Sequence, residues 1–158
     1  MRVLFLCTGN SCRSQMAEGW LRHLAGSGME VESAGLEAQG LNPAAVRALA
    51  DRGTDISAQA SKVVDAAMVA RAQLVVTVCG HADAHCPALP RAVAKQHWPF
   101  DDPARVTGDA ATIGRAFEET CHAIEMRMRI CYRIHSRYSR GQFGGPYCHH
   151  CGKYCKWN

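Results

Sequence analysis

The stretch Cys7-Thr8-Gly9-Asn10-Ser11-Cys12-Arg13-Ser14 leaves this chain few folds to choose from. It follows the apolar run Val3-Leu4-Phe5-Leu6 and precedes a helical pattern from Gln15 to Ala25. Residues 2–6 lack polar alternation and predict a strand buried on both faces. A buried strand therefore ends in a loop, and the loop ends at a helix N-terminus. Backbone N–H groups of such a loop face an anion, and the helix dipole favours negative charge there. Arg13 can grip two oxygens in a fork. The same field predicts that Cys7 is a thiolate, with a pKa in the roughly 3.5–7.5 range of activated thiols. A nucleophile and an oxyanion cradle, lined by Thr8, Gly9, Asn10, Ser11, Cys12, Arg13 and Ser14, predict covalent chemistry on a phosphate-like group. The Cys-x5-Arg spacing is loose by itself; the strand–loop–helix context makes it specific.

The rest of the chain supplies the layers around that loop. Met16, Ala17, Trp20, Leu21 and Leu24 fall on one helical face, and Gly26 and Gly28 stop the helix. Glu30 to Ala34 reads as a second strand ended by Gly35. Asn42-Pro43 starts a helix, which Gly53 closes. A further helix is expected over roughly Lys62 to Arg71. Leu74 to Val78 is a third buried strand ending at Cys79, and Gln96-His97-Trp98 a short fourth, cut off by Pro99. A long helix follows, from about Asp109 to Ser136, with Ile113, Phe117, Cys121, Ile124 and Met128 inward. Strands alternating with helices predict an α/β fold: one domain of three layers, a parallel sheet covered on both faces. Ligands of such sheets bind at the carboxyl ends of the strands. Cys7, Cys79 and the Asp101-Asp102 loop all follow strand ends and are expected to meet. Residues 1–140 form this domain; 141–158 are a Cys/His-rich tail expected to be flexible.

Composition narrows the function. With 158 residues the chain can bury a real core, and 47% hydrophobic residues suit a soluble globular protein. No apolar run approaches the roughly 20 residues needed to cross a bilayer, and the apolar N-terminal stretch is short for a signal peptide. A cytoplasmic monomer is expected, with no membrane and no nucleic-acid partner. The net charge of +4 fits an anionic substrate. Nine cysteines in a reducing compartment point to catalysis, redox exchange or metal binding.

Cys79 and Cys86 bracket Gly80-His81-Ala82-Asp83-Ala84-His85. Two helical turns would hold the thiols about 10 Å apart on one face, whereas a disulfide needs Cα atoms within about 7 Å. A bond between them requires the segment to unwind, which implies a thiol relay that changes shape on oxidation. Inert buried cysteines and a metal site from Cys79, His81, His85 and Cys86 are the competing readings. Of Asp101 and Asp102, one carboxyl near an oxyanion site can protonate a leaving oxygen; both can instead cap the turn that follows.

These pieces together resemble a known family. Cys7 to Glu18, Ser33-Ala34-Gly35, Asn42-Pro43, Cys79-x6-Cys86 and His97-Trp98-x-Phe100-Asp101-Asp102-Pro103 look like the arsenate reductases built on the low-molecular-weight tyrosine phosphatase fold, the thioredoxin-coupled branch above all. The resemblance covers residues 1 to 135 and implies a four-stranded parallel sheet. It implies that arsenate docks between Thr8 and Arg13, that Cys7 attacks arsenic, and that Asp102 protonates the leaving oxygen. Cys79 then attacks Cys7 and releases arsenite. Cys86 takes over the disulfide, and thioredoxin reduces it, with no tightly bound cofactor. The alternative is a phosphomonoesterase of the same fold. A phosphatase has no use for Cys79 and Cys86, although weak phosphatase activity is expected from the shared loop. A sensor that binds arsenic without turnover is a third class.

Two departures stand out. Some relatives bind potassium through positions matching Asn10, Glu18, Ser33 and one further acid. Lys62 occupies the last position here, and its ammonium is expected to replace the cation against Glu18; Asp65 is the other candidate acid. The tail carries Cys148, His149, His150, Cys151 and Cys155, a speculative soft-metal site. Arg129, Arg133 and Arg137 form a basic stripe, read as a solvated face; the alternative is a face that helps dock an acidic thioredoxin surface.

Overall fold

A computed structural model describes residues 1–139 of the chain. Four parallel strands form one sheet in the order β2-β1-β3-β4: β1 Arg2–Cys7, β2 Glu30–Gly35, β3 Leu74–Thr77 and β4 Ala94–His97. The helices are α1 Arg13–Ala25, α2 Pro43–Ala50, α3 Ala66–Arg71, α4 Gly80–Ala84 and α5 Ala110–Ser139. Alternate residues of β1 feed opposite sides. Val3, Phe5 and Cys7 join a core with Met16, Trp20 and Leu21 of α1, Leu49 of α2, and Phe117, Cys121, Ile124 and Met128 of α5. Leu4 and Leu6 join a smaller core with Val75 and with Val69 of α3. This is the expected three-layer arrangement, and the inward face of α5 carries the residues its spacing singled out. Among the described residues, no helix is long and apolar enough to cross a membrane.

Some boundaries differ from expectation, each for a local reason. Residues 62–65 are not helical: Val63 bridges Gly35, and Asp65 caps α3 by accepting a hydrogen bond from the Met68 N–H at 2.7 Å. The fourth strand runs Ala94–His97 instead of 96–98, because its register places Leu74 against Ala94 and Thr77 against His97. Helix α4 is a single short helix that stops before Cys86. Elsewhere the sequence signals hold: the Asn42 side chain caps α2 with Pro43 in its first turn, and Gly53 adopts φ +78° just past its end.

Sheet order places the chemistry. From β1 the chain passes to β2 on one side and then crosses to β3 on the other. The C-terminal end of β1 is therefore the switch point of the sheet, where a crevice opens between diverging connections. Cys7 is the last residue of β1, and Cys79 follows the adjacent β3.

Candidate active site

The loop after β1 is held from behind by a buried polar network. Asn10 takes a left-handed conformation, φ +46°, which Asn tolerates better than most residues. Its side chain donates to Ser14 Oγ at 2.9 Å and to Ser33 Oγ at 2.8 Å, and accepts from the Lys62 and Gln15 side of the loop at 2.9 and 3.1 Å. Ser33 donates to Glu18 Oε2 at 2.5 Å. Asn10, Ser14, Gln15, Glu18 and Ser33 are all at most 1% exposed. Burying this many polar groups is tolerable because each has its partners.

A second layer clamps the loop from the side. Leu36, Glu37 and Gln39 donate backbone N–H groups to the carbonyls of Cys7, Thr8 and Gly9, and Asn42 donates to Ser11. The close approach demands glycine at 35. A Cβ there would lie 2.3 Å from the Glu37 carbonyl, 2.7 Å from the Thr8 carbonyl and 2.8 Å from the Asn10 nitrogen, all backbone atoms.

Cys7 is buried, with its sulfur 2.8 Å from Ser14 Oγ and 3.1 Å from the Asn10 N–H. The Asn10 amide donates to Ser14 Oγ, so the Ser14 hydroxyl proton is free to point at the sulfur. Burial nevertheless pushes the Cys7 thiol above its ordinary range, and the Ser14 and Asn10 hydrogen bonds only partly oppose it. The expected thiolate is therefore not the favoured form in this conformation. The Arg13 guanidinium donates to Asp102 Oδ2 at 2.6 Å and to the Phe100 carbonyl at 3.0 Å. Its charge is neutralised by the carboxylate. Asp102 also caps the 3₁₀ turn Pro103–Arg105 through the Ala104 N–H, so the capping and site readings of this residue both apply. Asp101 is exposed and outside this contact set.

Cys79 is buried 3.4 Å from Thr8 Oγ1, which ties it to the loop, and its sulfur caps α4 by accepting from the Ala82 N–H at 3.4 Å. Cys86 lies past α4 and packs against the small core, with Leu89, Val93 and Met68. Burial raises its thiol, while nearby Lys95 works to lower it. Cys12 is buried in the large core, its thiol raised chiefly by burial. Lys62 Nζ stands 3.9 Å from Glu18 Oε2, and Arg22 pairs with Glu18 Oε1 at 2.8 Å.

Residues 2–134 match the family described as low molecular weight phosphotyrosine protein phosphatase. The chain belongs to that family. Among its curated relatives, the arsenate reductase of Bacillus subtilis (strain 168) is 55% identical over 106 residues, 67% of this chain and 76% of that protein. The arsenate reductase of Halalkalibacterium halodurans is 54% identical over the same shares. A solved thioredoxin-dependent arsenate reductase of Corynebacterium glutamicum superposes with TM-score 0.67 at 31% identity, covering 87% of this chain and 62% of that one. An arginine phosphatase from Geobacillus stearothermophilus gives TM-score 0.74 at 22% identity over 91% and 98% of the two chains, which shows the shared fold alone.

Within this phosphatase fold the structure joins Cys7 to Asn10 and Ser14, Thr8 to Cys79, and Arg13 to Asp102. It brings Asn10, Glu18 and Ser33 together beneath the loop. It does not bring Cys86 to Cys79: the two thiols belong to cores on opposite faces of the sheet. His81 and His85 stack on each other, ring centroids 4.3 Å apart. Among the described residues no group of three or more His, Cys, Asp or Glu side chains is placed to hold a metal ion. Cys148, His149, His150, Cys151 and Cys155 lie outside the described residues. Of the basic stripe, Arg129 pairs with Glu125 at 2.8 Å, and Arg133 is exposed.

Three supports escaped the sequence reading. Gln15 Nε2 donates to the Asn10 carbonyl and to the Ala60 carbonyl, both at 3.1 Å. Gln59 donates to Gln15 Oε1 at 2.6 Å. The third is a polar group below α4, Thr77, Asp83, Lys95 and His97. None carries a local signal: a glutamine in a first helical turn and a lysine in an edge strand read as ordinary surface residues until the fold supplies their partners.

Proposed function

We propose that the chain is an arsenate reductase that works through Cys7, Cys79 and Cys86 in turn, with weak phosphatase activity from the same loop. One observation carries the reading. Cys7 and Cys79 stand at the ends of adjacent strands, Thr8 beside Cys7 contacts the Cys79 sulfur at 3.4 Å, and a third thiol follows the helix that Cys79 caps.

Arsenate enters the loop and takes Asp102's place as partner of the Arg13 fork. That step places the Arg13 guanidinium against the bound oxyanion and frees the Asp102 carboxylate. The Cys7 sulfur bonds to arsenic while an arsenate hydroxyl leaves as water. The Asp102 carboxylate, released from Arg13, takes the proton of the Cys7 thiol and passes it to that leaving oxygen. The Cys79 thiolate then attacks the Cys7 sulfur. The sulfur–arsenic electron pair stays with arsenic, which leaves as arsenite, and the two thiols hold the oxidation as a Cys7–Cys79 disulfide. Cys86 attacks Cys79, expels Cys7 as thiolate and forms Cys79–Cys86. Reduced thioredoxin, itself a dithiol, resets the pair.

The test is NADPH oxidation driven by arsenate, thioredoxin and thioredoxin reductase, with a small-thiol donor run in parallel. Steady turnover is expected with thioredoxin. Cys86→Ser is expected to release about one arsenite per chain and then stop, and Cys7→Ser to release none. Arsenate binding without turnover in either donor system sinks the reading in favour of a sensor.

Potassium enters the same proposal. The Lys62 ammonium serves as the cation of the Asn10, Glu18 and Ser33 pocket, because it already stands against Glu18. Exchanging sodium for potassium is expected to leave both activity and melting temperature unchanged. A rise in either on adding potassium refutes this role for Lys62.

A further inference from the structure

The handover from Cys79 to Cys86 needs α4 to come apart. Cys79 is the cap of α4 and packs in the large core; Cys86 packs against the small core on the other sheet face. A disulfide needs Cα atoms within about 7 Å, and with α4 folded the two thiols pack into cores on opposite faces of the sheet. Whatever stabilises α4 therefore stabilises the reduced pair and opposes the Cys79–Cys86 bond.

One residue of α4 is tied to the sheet by side-chain bonds. Asp83 Oδ1 accepts from Thr77 Oγ1, at the end of β3, at 2.7 Å, and from Lys95 Nζ, on β4, at 2.8 Å. Lys95 also donates to the Asp83 backbone carbonyl at 3.1 Å, a cation on the last turn of the helix, where the dipole favours it. His97 Nδ1 hydrogen-bonds Thr77 Oγ1 at 2.9 Å and stands 3.8 Å from Asp83. Thr77 is fully buried, while Asp83 and Lys95 are each about one-third exposed. Lys95 thus grips both the side chain and the main chain of one helical residue, and the main-chain contact is lost when that turn unwinds.

We propose that Asp83, clamped by Thr77 and Lys95, is a latch that keeps α4 folded while the thiols are reduced and so sets the thiol–disulfide balance of the Cys79/Cys86 pair. The role rests on the relay proposed above. The exchange it governs is internally balanced. Cys86 gives its proton to solvent and attacks Cys79; the Cys79–Cys86 bond forms as the Cys7–Cys79 bond breaks, and Cys7 leaves as thiolate. Because the latch exists only with α4 folded, it favours the dithiol and makes the disulfide easier for the reductant to open. Once α4 opens, Lys95 loses its hold on the Asp83 carbonyl.

The experiment equilibrates the full chain in glutathione redox buffers and quantifies the 79–86 disulfide by peptide mass mapping. Asp83→Asn and Lys95→Met are expected to shift the balance toward the disulfide roughly tenfold, about 30 mV for a two-electron couple. Lys95→Arg, which keeps the cation, is expected to stay near the unmodified chain. Amide exchange over 80–85 in the reduced protein is expected to quicken in the first two variants and not in the third. Equal disulfide fractions and equal exchange in all chains overturn the latch, as does a shift toward the dithiol. The redox measurement contains no arsenic. A chain that shows the shift yet releases no arsenite keeps the latch and loses the arsenate reading.

Discussion

Ser14 is the residue on which the reactivity of Cys7 turns. Burial raises the thiol, and the Ser14 side-chain hydrogen bond is the largest force opposing it. A hydrogen bond to a charged group contributes about 1.5–3 kcal/mol, and one pKa unit corresponds to about 1.4 kcal/mol. Ser14→Ala therefore removes the largest opposing hydrogen bond and moves the Cys7 pKa further up. The pH profile of Cys7 alkylation is expected to shift to higher pH, with a rate near pH 7 roughly tenfold lower; an unshifted profile contradicts this role. Arg13 shows how a residue can be named correctly from sequence and still be placed differently by the fold. Its identity follows from its position after a glycine-bearing loop, but its partner, Asp102, is 89 residues away. Only the return of the chain after β4 brings the carboxylate within reach.

Capping decides the short elements. Asp65 begins α3 by accepting from Met68 N–H, and this role removes it from the Glu18 pocket. Replacing an N-cap Asp by Ala costs about 0.5–2 kcal/mol. Asp65→Ala is thus expected to lower urea-unfolding stability by about 1 kcal/mol while leaving the KM for arsenate alone; a large KM change returns Asp65 to the site. Helix α4 is the instructive contrast. Its sequence permits two turns, yet it ends at Ala84, and Cys79 caps it with a sulfur instead of an oxygen. A weak cap and a short span leave its stability to tertiary contacts, and the grip of Lys95 on Asp83 supplies them. Helix α5 needs no such help, since Phe117, Cys121, Ile124 and Met128 bury a continuous stripe along it.

Across the whole molecule, the thiols give the fold an alkaline limit. Burial raises Cys7, Cys12, Cys86, Cys121 and Cys131 above their ordinary value of 9.0, Cys131 to about 11. A group whose pKa is raised by folding stabilises the fold fully below its unfolded pKa and loses that contribution as pH climbs through the folded value. Stability is therefore expected to fall from about pH 9 to about pH 11. Cys131 alone contributes about 1–2 kcal/mol, reduced from the full two-unit shift because its side chain is partly exposed. Cys131→Ala should flatten part of that decline in melting temperature against pH; an identical slope refutes the assignment.

The local signals in the chain were sufficient for β1, the loop, α1, the buried strands and the inward face of α5, because apolar runs, caps and helical spacing act between neighbouring residues. They also identified Cys7, Arg13, Cys79, Cys86 and the Asp101-Asp102 pair as the groups with chemistry to offer, and the family resemblance chose Asp102. Tertiary structure alone decided the protonation of Cys7, the pairing of Arg13 with Asp102, the Gln15–Gln59 support and the opposite faces taken by Cys79 and Cys86. Burial and charge neutralisation depend on what the folded chain places within a few ångströms, and residues 71 or 89 positions apart carry no local mark of becoming neighbours.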